Sequence, residues 1–176
     1  MSILATCLAP LLLAQTASAT APAETGCKAS LPEKPPIAAK PTSGFYDKSA
    51  DARAAMDAAL ADAARTGRSA VLVFGGDWCH DSVALAKLLT SEAFKAEFGG
   101  GYSVTFIDVG VPQTGNGRNL ELLARFKVKD LKGTPAMFVV GPDGALRNKR
   151  KDALSWRNAH SRGDAAILDW FRRLKP

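Results

Sequence analysis

The chain has 176 residues, enough for one domain with an ordinary core. Hydrophobic residues at 47% and charged residues at 23% are the proportions of a soluble globular protein. A net charge of +6 favours acidic partners, but no arginine-rich run with interleaved aromatics supports a nucleic-acid site. The densest positive stretch, Arg147, Lys149, Arg150 and Lys151, reads as a solvated strand end or turn.

The first predicted element is a targeting segment. Ile3 to Ala14 is an apolar run of 12 residues, too short to span a bilayer. Ala17-Ser18-Ala19 then has the small-x-small form of a signal-peptidase site. No basic residue precedes the run, the first being Lys28, which points to a translation start further upstream. Pro10 and the proline-rich sequence that follows argue against a buried helix. Residues 1–19 are therefore expected to be a signal peptide, and the mature protein to be periplasmic or secreted, with no membrane span left after cleavage. Removal of Cys7 leaves Cys27 and Cys79, either a disulfide pair or one reactive thiol and a bystander. A lipid anchor at Cys27 is a further reading, weakened by Glu24 where such a signal has an aliphatic residue.

Residues 20–44 carry prolines at 32, 35, 36 and 41 and read as a Pro/Ala-rich flexible tether. The compact domain is expected over 45–176. Asp47 or Ser49 can cap a helix running to about Arg65, with Met56, Leu60 and Ala64 on one stripe and Thr66-Gly67 as its stop. Ala70 to Phe74 is a continuous apolar run, as in a strand buried on both faces. A helix follows from Cys79, with Val83, Leu85, Ala86, Leu88 and Leu89 as its stripe, extended or restarted through Phe94 and Phe98. Residues 102–110 form a second strand, 111–117 a loop and 118–126 a short helix. Residues 136–141 make a third strand, and Pro142-Asp143-Gly144 turns it into a hairpin with 145–149. A closing helix runs from about Asp164 to Leu174, with Ile167, Trp170, Phe171 and Leu174 inward. This order predicts an α/β sandwich with a parallel half and an antiparallel hairpin.

Trp78-Cys79-His80-Asp81-Ser82 at a strand-to-helix junction, with Thr134-Pro135 about 55 residues later before an apolar strand, resembles the thioredoxin-like superfamily over residues 45–175. The resemblance implies a thioredoxin-like fold, a mixed central sheet with helices on both faces. It also implies that Pro135 is a cis-proline facing Cys79, and that Thr134 offers backbone groups to an extended peptide. The chain departs from the family in two linked ways. Ser82 stands where many members have a second cysteine, and Val73 where many have a buried acid. That acid serves the second cysteine, so the two losses agree with each other and with a monothiol site. Asp130-Leu131-Lys132 also lengthens the approach to the proline.

A thiolate attacks a disulfide, and a sulfur at a helix N-terminus is stabilised in that form by unpaired N–H groups and the helix dipole. His80 adds positive charge when protonated, Ser82 can donate a hydrogen bond to the sulfur, and Trp78 shields the thiol and meets the partner. Asp77 and Asp81 oppose the negative charge. Without a second cysteine in the motif, a mixed disulfide must be resolved by the substrate's other thiol, by a small thiol, or by Cys27, for which a structural bond is the alternative role. The expected catalytic set is Cys79, Ser82 and Pro135, with Trp78, His80 and Thr134 in substrate binding. His80, His160 and Cys79 lack the spacing of a zinc site, so neither metal nor cofactor is expected, and His160 reads as a surface residue.

Two functions compete. One is redox chemistry by monothiol disulfide exchange with protein or small-molecule thiols, as an oxidoreductase or isomerase. The other is a non-catalytic peptide-binding module of the cell envelope, which has no need of a reactive Cys79. Gly76, three residues before the cysteine, argues against a peroxidase of the Thr-x-x-Cys type.

Overall fold

The computed structural model describes residues 44–174. The expected signal peptide, the tether to residue 43, and Cys27 with it, lie outside the described residues. Helix α1 (Ala52–Thr66) is capped by Asp51, whose Oδ1 accepts the Ala54 N–H at 2.9 Å. Asp47 and Ser49 are not the cap, because Asp47 Oδ1 instead accepts the N–H and hydroxyl of Ser49. The buried stripe is Ala52, Met56, Ala59 and Ala63, while Ala64 is exposed. Steps of four residues drift about 40° each around a helix, so a run of fours leaves the inner face. Gly67, at φ 76°, ends α1 with its N–H on the Ala63 carbonyl.

Strand β1 (Ser69–Gly75) is buried at every residue. Ala70, Leu72 and Phe74 pack on the α1 face, and Val71 and Val73 on the opposite one. Helix α2 (His80–Thr90) follows, and Ser91 both ends it and caps α3 (Glu92–Phe98), so the helix restarts. Strand β2 (Tyr102–Asp108) pairs parallel to β1, with Gly75 opposite Asp108. The expected loop after it holds a small hairpin, β3 (Gly110–Val111) and β4 (Asn116–Gly117), joined by a 3-10 turn. The expected helix at 118–126 is a 3-10 helix over Leu120–Phe126, with Asn119 and Lys127 at φ 57° on its two ends.

Strand β5 (Ala136–Val140) lies antiparallel on the other side of β1, with Phe74 opposite Ala136. The sheet order is β2-β1-β5. The expected strand at 145–149 reduces to one bridge, Val140 to Leu146. Beyond it, the Asn148 side chain replaces a strand. Its Nδ2 donates to the Met137 carbonyl at 2.9 Å, and its Oδ1 accepts the Val139 N–H at 3.0 Å. Lys149, Arg150 and Lys151 are exposed where the chain enters α4 (Arg150–Ala153), and Arg147 pairs with Asp143.

Helix α5 (Ala159–Arg162) and the closing helix α6 (Asp164–Arg173) complete the layer over α2. Ile167 and Phe171 of α6 are buried there beside Trp156, and Trp170 and Leu174 are partly buried. Because β1 and β2 run parallel and β5 runs against them, the end of β1, the end of β2 and the start of β5 share one edge of the sheet. Among the described residues no helix is long and apolar enough to cross a membrane.

Asn148 is 4% exposed and its amide satisfies two groups on the outer edge of β5. Asn148→Ala orphans both, at about 1–3 kcal/mol for an unsatisfied buried group. The expected result is a loss of about 2–4 kcal/mol in urea unfolding with the slope unchanged. A loss below about 0.5 kcal/mol contradicts the role given to this side chain.

Candidate functional site

The site begins where β1 stops. A Cβ on Gly75 would sit 2.6 Å from Ser82 Oγ and 2.7 Å from the Tyr46 hydroxyl, so only glycine leaves room for both. The chain then turns through Gly76 to Cys79, whose N–H returns to the Gly76 carbonyl at 3.0 Å. Cys79 is the N-cap of α2, in extended conformation at φ −96° and ψ 117°, and its carbonyl accepts the first helical bond from Val83 at 3.0 Å. Cys79 is 9% exposed. Its Sγ donates to the Thr134 carbonyl at 3.4 Å, and the Thr134–Pro135 peptide bond is cis.

Cys79, Thr134 and Pro135 are thus brought together, with Ser82 one helical turn below. Ser82 is fully buried, but its hydroxyl has no hydrogen-bond partner among the described residues, and the expected donation to the sulfur is not formed. The Thr134 hydroxyl is likewise buried and unpartnered. Two hydroxyl donors therefore remain uncommitted near the thiol.

The charged neighbours are committed elsewhere. Asp77 accepts the backbone N–H groups of Phe45 at 2.9 Å and Tyr46 at 3.3 Å, so it anchors the entering chain. Asp81 is buried, with Oδ1 accepting the His160 N–H at 2.9 Å and Oδ2 lying 3.2 Å from His80 Nε2. His80 consequently faces Asp81 and the edge-on ring of His160, with ring centroids 5.8 Å apart. His160 is exposed, as expected, and also ties α5 to the motif.

Trp78 is 47% exposed yet held in place, its Nε1 donating to the Gly110 carbonyl at 2.7 Å. Gly110 has φ 61°, and a Cβ there would collide with the Asn116 carbonyl. Asp108, 2% exposed, completes this clasp: its Oδ1 accepts the Gly110 N–H at 2.9 Å and lies 3.3 Å from Arg118 Nε. Sequence reasoning missed Asp108, Gly110 and Tyr46. Tyr46 is buried over the motif, its hydroxyl 3.4 Å from the Ser82 carbonyl. Burial pushes its pKa far up, opposed by the neighbouring Ser82 hydroxyl and reinforced by the charges of Cys79, Asp77 and Asp108, so the phenol stays neutral. The glycine pair closing a buried strand was the one available signal for this pocket. Among the described residues no group of three or more His, Cys, Asp or Glu could hold a metal ion.

Because the other two tryptophans are buried or half-buried, Trp78 dominates quenching from solution. Gly110→Ala strains the backbone and crowds Asn116, so the clasp opens. Acrylamide quenching should rise and the emission shift to the red while far-UV circular dichroism stays native. Unchanged quenching in a folded variant would mean that Gly110 does not hold the indole.

The thioredoxin-like family profile matches residues 51–142, more than half of the chain. Among solved structures, the disulphide isomerase from Xylella fastidiosa Temecula1 is 35% identical with a TM-score of 0.66, over 76% of this chain and 98% of that one. A DsbH oxidoreductase is 23% identical with a TM-score of 0.40, over 68% of this chain and 78% of that one. No functionally curated protein matches the chain. From the profile match and the 35% identity to the disulphide isomerase, the chain belongs to the thioredoxin-like family.

Proposed function

We propose that the protein catalyses thiol-disulfide exchange through one cysteine, Cys79, after export to the periplasm or the cell exterior. The observation that carries this reading is the position of Cys79: the N-cap of α2, with its sulfur against the Thr134 carbonyl beside Pro135. The similarity to a disulphide isomerase supports the same chemistry. The apolar run before Ala17-Ser18-Ala19 supports export.

In this mechanism the Cys79 proton leaves, which frees the Thr134 carbonyl. Backbone N–H groups at the start of α2 and the uncommitted hydroxyls of Ser82 and Thr134 stabilise the thiolate. The thiolate attacks one sulfur of a substrate disulfide; a Cys79–substrate disulfide forms and the other substrate sulfur leaves as a thiolate. With Ser82 in the motif, release requires a second thiolate, and its attack on the substrate sulfur expels Cys79. When that thiolate belongs to the same substrate, the disulfide has moved and no net electrons have flowed. Isomerisation is therefore the reaction a monothiol site completes unaided; a small thiol or Cys27 that attacks the Cys79 sulfur instead expels the substrate as a thiolate, so the substrate leaves reduced and Cys79 stays in a disulfide with that thiol. Pro135 supplies no N–H beside the sulfur, so the neighbouring backbone is left to meet a substrate strand.

Replacing Cys79 by Ser should abolish mixed-disulfide formation with a model disulfide, whereas Cys27→Ser should keep the first, attacking step within about twofold. Stopped-flow release of the leaving thiol reads both. Equal burst rates for the wild type and Cys79→Ser would sink the proposal and leave a binding module. Ser82→Cys should trap a 79–82 disulfide under mild oxidation, seen as the loss of two thiols in intact mass.

A further inference from the structure

Charge is distributed unevenly along the chain. Of 23 basic and 17 acidic residues, nine and three lie between 125 and 157, so the remaining 14 and 14 cancel and this segment holds the whole net charge of +6. The fold gathers these charges. Arg125 and Lys127 from one side and Lys149 and Arg150 from the other surround a hollow of about 340 Å³ beside β5, all four exposed. None of the four makes an ion pair among the described residues; within the segment, only Arg147 with Asp143 and Lys132 with Asp130 are paired. The third acid, Asp152, accepts the Trp170 Nε1–H at 3.1 Å.

The band continues toward the thiol. Lys151 and Arg157 line a second hollow of about 320 Å³ together with Gly133. The Arg157 side chain lies so close to Gly133 that a Cβ there would touch its Cδ at 3.2 Å. Gly133 directly precedes Thr134, the residue whose carbonyl holds the Cys79 sulfur. Cationic side chains thus line both the hollow beside β5 and the one at Gly133, where the single acid, Asp130, is paired with Lys132. On the other flank of α2 the exposed charge is mixed, with Lys87 against Asp164.

We infer that this band is the docking surface for an acidic polypeptide, whose disulfide it delivers to Cys79 with the acidic residues lying over Gly133, Arg157 and Lys149–Lys151. This rests on the exchange reading and adds the chemistry of the partner. Six unpaired cations in such a band raise the encounter rate with an acidic chain and lower it with a basic one. A small neutral disulfide is indifferent to the band.

The test uses the full chain and three disulfides: a peptide disulfide flanked by Asp and Glu, its counterpart flanked by Lys and Arg, and a small uncharged disulfide. At low ionic strength the acidic peptide should react at least about 10-fold faster than the basic one, and the ratio should approach one near 0.5 M salt. Lys149→Glu/Arg150→Glu/Lys151→Glu should invert the ratio while the neutral disulfide keeps its rate. A ratio of one in the wild type, or a ratio unchanged in the triple variant, overturns the inference. So does a ratio of one accompanied by sedimentation of the protein with phosphatidylglycerol vesicles but not phosphatidylcholine ones, which makes the band a membrane surface. Failure of the exchange reading is separately visible as no reaction with the neutral disulfide; the band is then judged by equilibrium binding of the two peptides in reduced form, where equal affinities overturn it.

Discussion

Strand β1 has no exposed residue from Ser69 to Gly75, and the surrounding architecture follows from that burial. A strand hidden on both faces and both edges needs a neighbour strand on each side and a helical layer above and below. Here β2 and β5 supply the edges, α1 with the 3-10 helix covers Leu72 and Phe74, and α2, α3 and α6 cover Val71 and Val73. Burying each such side chain contributes about 1.5–3 kcal/mol, so the register of β1 is strongly fixed. Its end is fixed with it, and that end sets the position of Cys79. Gly75 at that end and Gly76 after it let Ser82, Tyr46 and Trp78 crowd the junction where ordinary side chains would keep them out.

The mixed direction of the sheet does the rest. A parallel β2 brings Asp108 to the end of β1, and an antiparallel β5 brings its approach loop there too. Three segments distant in sequence therefore converge on one sulfur. The electrostatics of the junction are arranged largely by engagement: Asp77, Asp81 and Asp108 all stand near Cys79, but each accepts a backbone N–H, and Asp108 Oδ1 also faces Arg118 while its Oδ2 is buried without a hydrogen-bond partner among the described residues. The remaining donors without partners, Ser82 Oγ and Thr134 Oγ1, are uncharged and buried. A carboxylate held by several donors has less field to impose on a neighbouring sulfur than a free one.

Much of this was legible in the sequence because it depends on short-range pattern. The apolar run at 70–74, the glycine after α1 and the Trp-Cys-x-x-Ser motif carry their own physical meaning, and β1, the end of α1 and the start of α2 appear where they put them. What was illegible depends on tertiary contact. Asp51 caps α1 although Asp47 and Ser49 looked equally able, because those two satisfy each other. Asn148 takes the place of a strand through its side-chain amide, which no alternation pattern can signal. Asp108 looks like an ordinary strand-end acid until the hairpin folds over it. The cluster at 147–151 reads as solvated charge in sequence, and only the fold sets it against Arg125 and Lys127.

The central claim is that Cys79 is the atom at which exchange begins, whatever resolves the intermediate. Peptide mapping of the acid-quenched reaction between the reduced protein and a substrate disulfide tests it most directly. The account predicts a mixed disulfide on the peptide containing Trp78-Cys79-His80, present early and equally abundant in the Cys27→Ser variant. An adduct confined to Cys27, or substrate turnover with Cys79 free at every time point, would contradict it.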